Sequence, residues 1–174
     1  MVLRKFFIAI ACLLAFTSGQ AYLSAAGLSG KESKKVLKLL SKEFDVDRSD
    51  LELTPVTTPG LKSDYIEGVS RLAKKGEPLG YVVSAVGMGR YDHFYYLVYY
   101  NEDREVEFVR VMKYYSDHGG EIQSKRWLNQ FTGYDGGDLD YGDEVQAISG
   151  ATLSAGSITK GIREITIRLQ NSNL

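Results

Sequence analysis

Ser149-Gly150-Ala151-Thr152-Leu153-Ser154 sets three hydroxyl side chains and two small residues between Val145 to Ile148 and a segment where Ile158, Ile162, Ile165 and Leu169 recur at helical spacing. A helix starting here presents unpaired N–H groups and a partial positive charge, and Gly150 and Ala151 let a ligand approach the backbone. The chemistry on offer is anion binding, phosphate above all. Serine and threonine are also ordinary helix caps. Residue types alone therefore leave open both a phosphate cradle and a capped helix without a ligand.

Other chemistry-bearing residues are sparse. His93 and His118 are the two histidines, each preceded by an aspartate, Asp92 and Asp117. They read as independent surface residues, with a two-histidine metal site as the other reading. Tyr134 to Asp143 carries Gly136, Gly137 and Gly142 among four aspartates. Its spacing lacks the EF-hand pattern and the ligating glutamate, so a solvated loop is expected and no metal site. Ser149-Gly150 lacks the GxSxG elbow of a hydrolase nucleophile. No GxGxxG loop follows a strand, which argues against NADH binding by this chain.

The chain has 174 residues, 44% of them apolar and 25% charged, with a formal charge of −1. Those values suit one soluble domain with a sizeable core, and without a basic excess nucleic acid is not expected as a partner. Arg4 and Lys5 precede 11 apolar residues, Phe6 to Phe16, followed by small and polar ones. This is the layout of a secretory signal peptide, residues 1–21, cut after Ala21 or alternatively after Ala26. The run falls short of the about 20 residues a spanning helix needs, so export is expected ahead of a retained anchor over residues 6–21. Removing residues 1–21 takes away Cys12, the single cysteine, and leaves 19 basic against 22 acidic side chains. No thiol then remains for a disulfide, zinc, a cluster or haem attachment.

Val36, Leu37, Leu40 and Phe44 lie on one stripe, with Lys34, Lys35, Lys38 and Lys42 largely off it, so an amphipathic helix is expected from Lys31. Leu51, Leu53 and Val56 alternate before Pro59 and Gly60, a short strand and a loop. Val69 to Ala73, Leu79 to Val86, Phe94 to Tyr100 and Val106 to Tyr115 are separated by turn residues and read as an antiparallel meander. Tyr95, Tyr96, Tyr99, Tyr100, Tyr114 and Tyr115 gather there, either as a stacking surface for an aromatic ligand or as core and cross-strand packing. Ile122, Trp127, Leu128 and Phe131 suggest a short helix ended by Gly133, and a last helix runs from Ser154 to Leu169. The expected class is α+β: an antiparallel meander sheet packed with an N-terminal and a C-terminal helix in a single domain.

SGATLS resembles the flavinylation motif [S/T]GATx[S/T] of the FMN-binding domains in the C subunit of sodium-pumping NADH:quinone reductase and the G subunit of Rnf electron-transport complexes. Gly80-Tyr81 resembles the family's GY segment. His118-Gly119-Gly120, followed by Trp127, Leu128, Phe131 and Gly133, is similar to its glycine turn and W/F-L-x-Q-F-x-G helix. The likeness covers roughly residues 68 to 170. Family members commonly carry an aspartate six residues before the modified threonine, where this chain has Gln146. Their proline-containing turn is replaced by Asp117-His118-Gly119-Gly120.

The resemblance implies a domain over residues 64–174 that binds FMN, preceded by an N-terminal helix and connecting segment over 22–63. It implies FMN joined through a phosphoester to Thr152 by an ApbE-type flavin transferase. Ser149, Gly150, Ala151, Leu153 and Ser154 would surround the phosphate, and His118, Gly119 and Gly120 would border the ring. The function implied is an exported electron carrier that relays electrons between redox proteins or to a membrane electron-transport complex, without substrate turnover of its own. The alternatives are a flavin-free binding domain on the same scaffold and a membrane-anchored accessory subunit of such a complex.

Overall fold

The computed structural model describes residues 30–174; the expected signal peptide and both cleavage points lie outside the described residues. Helix α1 (Gly30–Glu43) is followed by strands β1 (Leu51–Val56), β2 (Ile66–Lys74), β3 (Glu77–Met88), β4 (His93–Tyr100) and β5 (Val106–Lys113), a short helix α2 (Lys125–Leu128) and the long helix α3 (Thr152–Gln170). The strands form one antiparallel sheet in the order β1-β2-β3-β4-β5. This is the expected α+β meander between two helices. The alternating stretch at Leu51 joins it as an edge strand, where Pro55 is tolerated. Lys75 and Gly76, both at positive φ, close the β2–β3 hairpin in the way two-residue turns require.

Strand alternation divides the apolar residues between two faces. Val83, Ala85, Phe94, Tyr96, Val98, Tyr100 and Val109 form one core with Ile158, Ile162, Ile165 and Leu169 of α3. Leu72, Val82, Leu97 and Tyr99 form the other with Val36 and Leu40 of α1. The tyrosines are split accordingly: Tyr96, Tyr99 and Tyr100 are buried, whereas Tyr95 and Tyr115 are exposed. Gly161 lets α3 lie close to the sheet, because a Cβ there would strike the Tyr96 hydroxyl and the Tyr65 ring. At the far end of α3, the Arg104 guanidinium donates to the carbonyls of Leu169, Gln170, Ser172 and Leu174 at 2.8–3.1 Å, satisfying acceptors that a helix end leaves unpaired. The aspartate-rich loop is tied to α3 through Arg163, 3.1 Å from Asp140.

The segment from Ile122 to Phe131 is broken into short turns. Ser124 accepts a hydrogen bond from the Trp127 N–H at 3.1 Å, so a new helix, α2, starts after a 3-10 turn over Gly120–Gln123.

Glu43, at the end of α1, bonds Arg110 of β5 at 2.8 Å and Lys125 of α2 at 3.0 Å. The hydrogen bond from Arg110, aided by Lys125, holds the Glu43 carboxyl below its usual value. A depressed carboxylate contributes stability above its unfolded pKa, and that stability is lost as pH falls through the lower folded value. With its side chain 23% exposed, Glu43→Gln is expected to cost about 0.5–1 kcal/mol at neutral pH. Urea unfolding should show this gap closing below about pH 4.

Candidate functional site

Helix α3 begins at Thr152, two residues before the start that the apolar periodicity predicts, and its cap residue is Ala151. No side chain caps the first turn. An alanine cap forgoes about 1 kcal/mol relative to serine or threonine, although hydroxyl residues stand at 149, 152 and 154. The first N–H bonded within the helix is that of Ala155, to the Ala151 carbonyl at 2.8 Å. Helix geometry therefore leaves the N–H groups of Thr152, Leu153 and Ser154 without intrahelical acceptors. Thr152 is exposed and, among the described residues, its hydroxyl makes no hydrogen bond. Gly150, at φ 78°, has open space where a side chain would stand. The arrangement is an uncapped, positively polarised helix start with a free hydroxyl on its first residue, which suits a phosphate group.

The approach to this helix is held by side chains from distant segments. Trp127 donates its ring N–H to the Gln146 carbonyl at 2.8 Å, and Gln130 accepts from the Gln146 N–H at 2.8 Å. Tyr141 accepts from the Ile148 N–H at 2.8 Å. Gln146 is thus fixed by its backbone while the residue remains exposed.

The glycine turn predicted as the other half of the site lies against the helix start. Gly119 adopts φ 75°, and a Cβ there would be 2.9 Å from the Ala151 Cβ and 3.1 Å from the Tyr114 hydroxyl. Only glycine satisfies both the backbone angle and the close approach. Tyr114 ties the two halves together: its hydroxyl donates to the His118 carbonyl at 2.7 Å and lies 3.2 Å from the Ser154 Oγ. Ser154 is 5% exposed, so its hydroxyl faces inward and only its N–H belongs to the helix start. Phe94 supports Tyr114 edge-on, with ring centres 5.6 Å apart. The turn after β3 closes the arrangement, since the Met88 N–H donates to the Ser157 Oγ at 2.8 Å.

Two grooves border the helix start. One of about 310 Å³ is lined by Gly89 to Phe94 and Tyr114 to His118, and therefore by both histidines of the chain. The other, of about 540 Å³, is lined by Glu121, Ser124, Trp127, Gln130 and Gln146 to Ser149. Gly119 and Gly120 fall between the two in sequence, and Leu153 stands 60% exposed on the helix. No group of three or more histidines and carboxylates is placed to hold a metal ion among the described residues. No described helix is long and apolar enough to cross a membrane.

All nine predicted site residues thus come from two neighbouring segments, 118–120 and 149–154. Tyr114 and the Gly89–His93 turn were not distinguished by sequence reasoning. Tyr114 was one of many tyrosines, and its partner Ser154 is 40 residues away. No family model matches the chain, and no curated protein matches it. Its fold is similar to that of a solved structure, Shewanella oneidensis NqrC, with a TM-score of 0.55 and 16% sequence identity over 82% of this chain and 98% of that one.

Proposed function

We propose that this chain is an exported flavoprotein electron carrier in which FMN is joined to Thr152 through a phosphoester. One observation carries the reading: Gly119 packs on Ala151, so the two motif segments meet at an uncapped helix start whose first residue bears a free hydroxyl. The similarity of the fold to that of Shewanella oneidensis NqrC supports it as a likeness of fold, alongside the resemblance of SGATLS to the flavinylation motif. The N–H groups of Thr152, Leu153 and Ser154 would receive the phosphate, and Gly150 would leave room for it. Ser149 and Ala151 would complete the cradle, while His118, Gly119 and Gly120 would border the ring. Attachment by an ApbE-type transferase would take FMN from FAD, with the Thr152 oxygen losing its proton and AMP leaving. A bound flavin supplies one- and two-electron transfer, and the protein tunes it through charge, hydrogen bonds and exposure. Covalent attachment would keep the cofactor on a protein outside the cell's flavin supply, in reach of a redox protein or a membrane electron-transport complex.

The test is intact mass and visible absorbance after denaturation of protein exported together with the transferase. A gain of FMN less one water, on the peptide containing Thr152, is expected. An unmodified, colourless product would overturn the reading in favour of a flavin-free binding domain.

Tyr114→Phe is expected to leave attachment intact, since Thr152 is exposed, but to loosen the turn. Losing about 1 kcal/mol of hydrogen bonding corresponds to roughly fivefold faster local opening. Amide exchange at Ile122, whose N–H bonds the Gly119 carbonyl, would report it.

A further inference from the structure

We infer that the outer face of α1 is an electrostatic docking surface for anionic phospholipid headgroups. Lys31, Lys35, Lys38 and Lys42 follow one another at spacings of four, three and four residues. On a helix this places them within about 60° of the circumference, in a file about 16 Å long. Val36 and Leu40, on the opposite side, are buried on the sheet, so the file points straight away from the protein. All four residues are exposed, as is Lys34 beside them. None of the five lysines forms an ion pair among the described residues, and Glu43 is committed to Arg110 and Lys125.

The charge distribution is uneven across the whole chain. Helix α1 carries five lysines and two glutamates, a balance of +3 in a chain whose total is −1, so the remaining residues carry −4. Within α1, Lys31 and Lys35, Lys34 and Lys38, and Lys38 and Lys42 are like-charge neighbours four residues apart, which destabilises a helix. A sequence selected for helix stability alone would alternate these with glutamates. An anionic surface relieves the repulsion.

The occupant is a lipid surface and not a protein because every exposed residue of α1 is Gly30, a lysine or a glutamate. Protein interfaces are depleted in lysine and anchored by aromatic residues and arginine, and this face has none. Cationic side chains held near anionic headgroups need no such anchors. Because α1 and α3 pack on opposite faces of the sheet, docking through α1 would leave Thr152 uncovered.

The test partitions the full chain between solution and vesicles of phosphatidylcholine, alone or with about one third phosphatidylglycerol. Each lysine near an anionic surface is worth roughly fivefold in partition. The variant Lys31→Gln/Lys35→Gln/Lys38→Gln/Lys42→Gln should therefore lose at least about a hundredfold on anionic vesicles. Any contribution of the apolar run Phe6 to Phe16 appears equally on neutral vesicles in both proteins. Raising salt to about 0.5 M, where screening shortens to roughly 4 Å, should remove the anionic excess of the parent. Lys31→Gln/Lys38→Gln should fall between the two, and the melting temperatures should not drop. Equal partition of the parent on neutral and anionic vesicles, or no loss in the four-site variant, would overturn the inference.

Discussion

Thr152→Ala should eliminate covalent flavin completely while leaving the protein at least as stable as before. The first half follows from the proposed phosphoester, which needs the Thr152 oxygen. The second follows from the observed start of α3: Thr152 is its first residue, and the cap is Ala151. No capping bond is lost, and alanine is favoured over threonine in a helix by about half a kcal/mol. Intact mass reports the first effect and thermal unfolding the second. Thr152→Ser keeps the oxygen and should retain attachment. If Thr152→Ala still carried flavin, the acceptor would be Ser149, which is exposed. Ser154 is a poor substitute because its hydroxyl is buried beside Tyr114.

Gly119→Ala should be the most damaging small substitution at the site, and Gly150→Ala provides its internal comparison. Both glycines have nearly the same positive φ, 75° and 78°, so each alanine bears a similar left-handed cost of about 1–2 kcal/mol. The difference lies in the surroundings. At Gly150 the added methyl enters open space, whereas at Gly119 it meets the Ala151 Cβ at 2.9 Å. Gly119→Ala must therefore push the turn away from the helix start and strain the Tyr114 bonds, for a total of about 2–4 kcal/mol. Gly150→Ala should stay near 1–2 kcal/mol. Urea unfolding measures the two costs. In the modified protein, the flavin absorbance and potential should move with Gly119→Ala, whose displaced turn borders the proposed ring position. Equal costs at the two positions would mean that the Gly119–Ala151 contact is not tight in solution.

Much of this architecture could be read from residue order because its causes are local. Val36 and Leu40 declare an amphipathic helix. The alternating β-branched and aromatic runs, separated by turn residues such as Lys75-Gly76, declare a meander in which sequence neighbours become sheet neighbours. The SGATLS segment is equally local, and a helix start rich in hydroxyl and small residues was legible from it.

Other features depended on contacts between residues far apart in the chain. The periodic apolar residues of α3 mark its buried face from Ile158 onward but not its first turn, where Thr152 and Leu153 are exposed and the buried positions are the small Ser154 and Ala155. The start at Thr152, with alanine as cap, was therefore visible only in three dimensions. The tyrosines were also ambiguous, because one composition serves a stacking surface or a core, and the pleat decides residue by residue which face each joins. The approach of Gly119 to Ala151 and the bridge of Tyr114 to Ser154 span 32 and 40 residues. By itself the sequence determined the main elements, their order and the residue types at the helix start. Tertiary packing decided which turn meets that helix and which tyrosine joins them, because both depend on how α3 seats against the sheet.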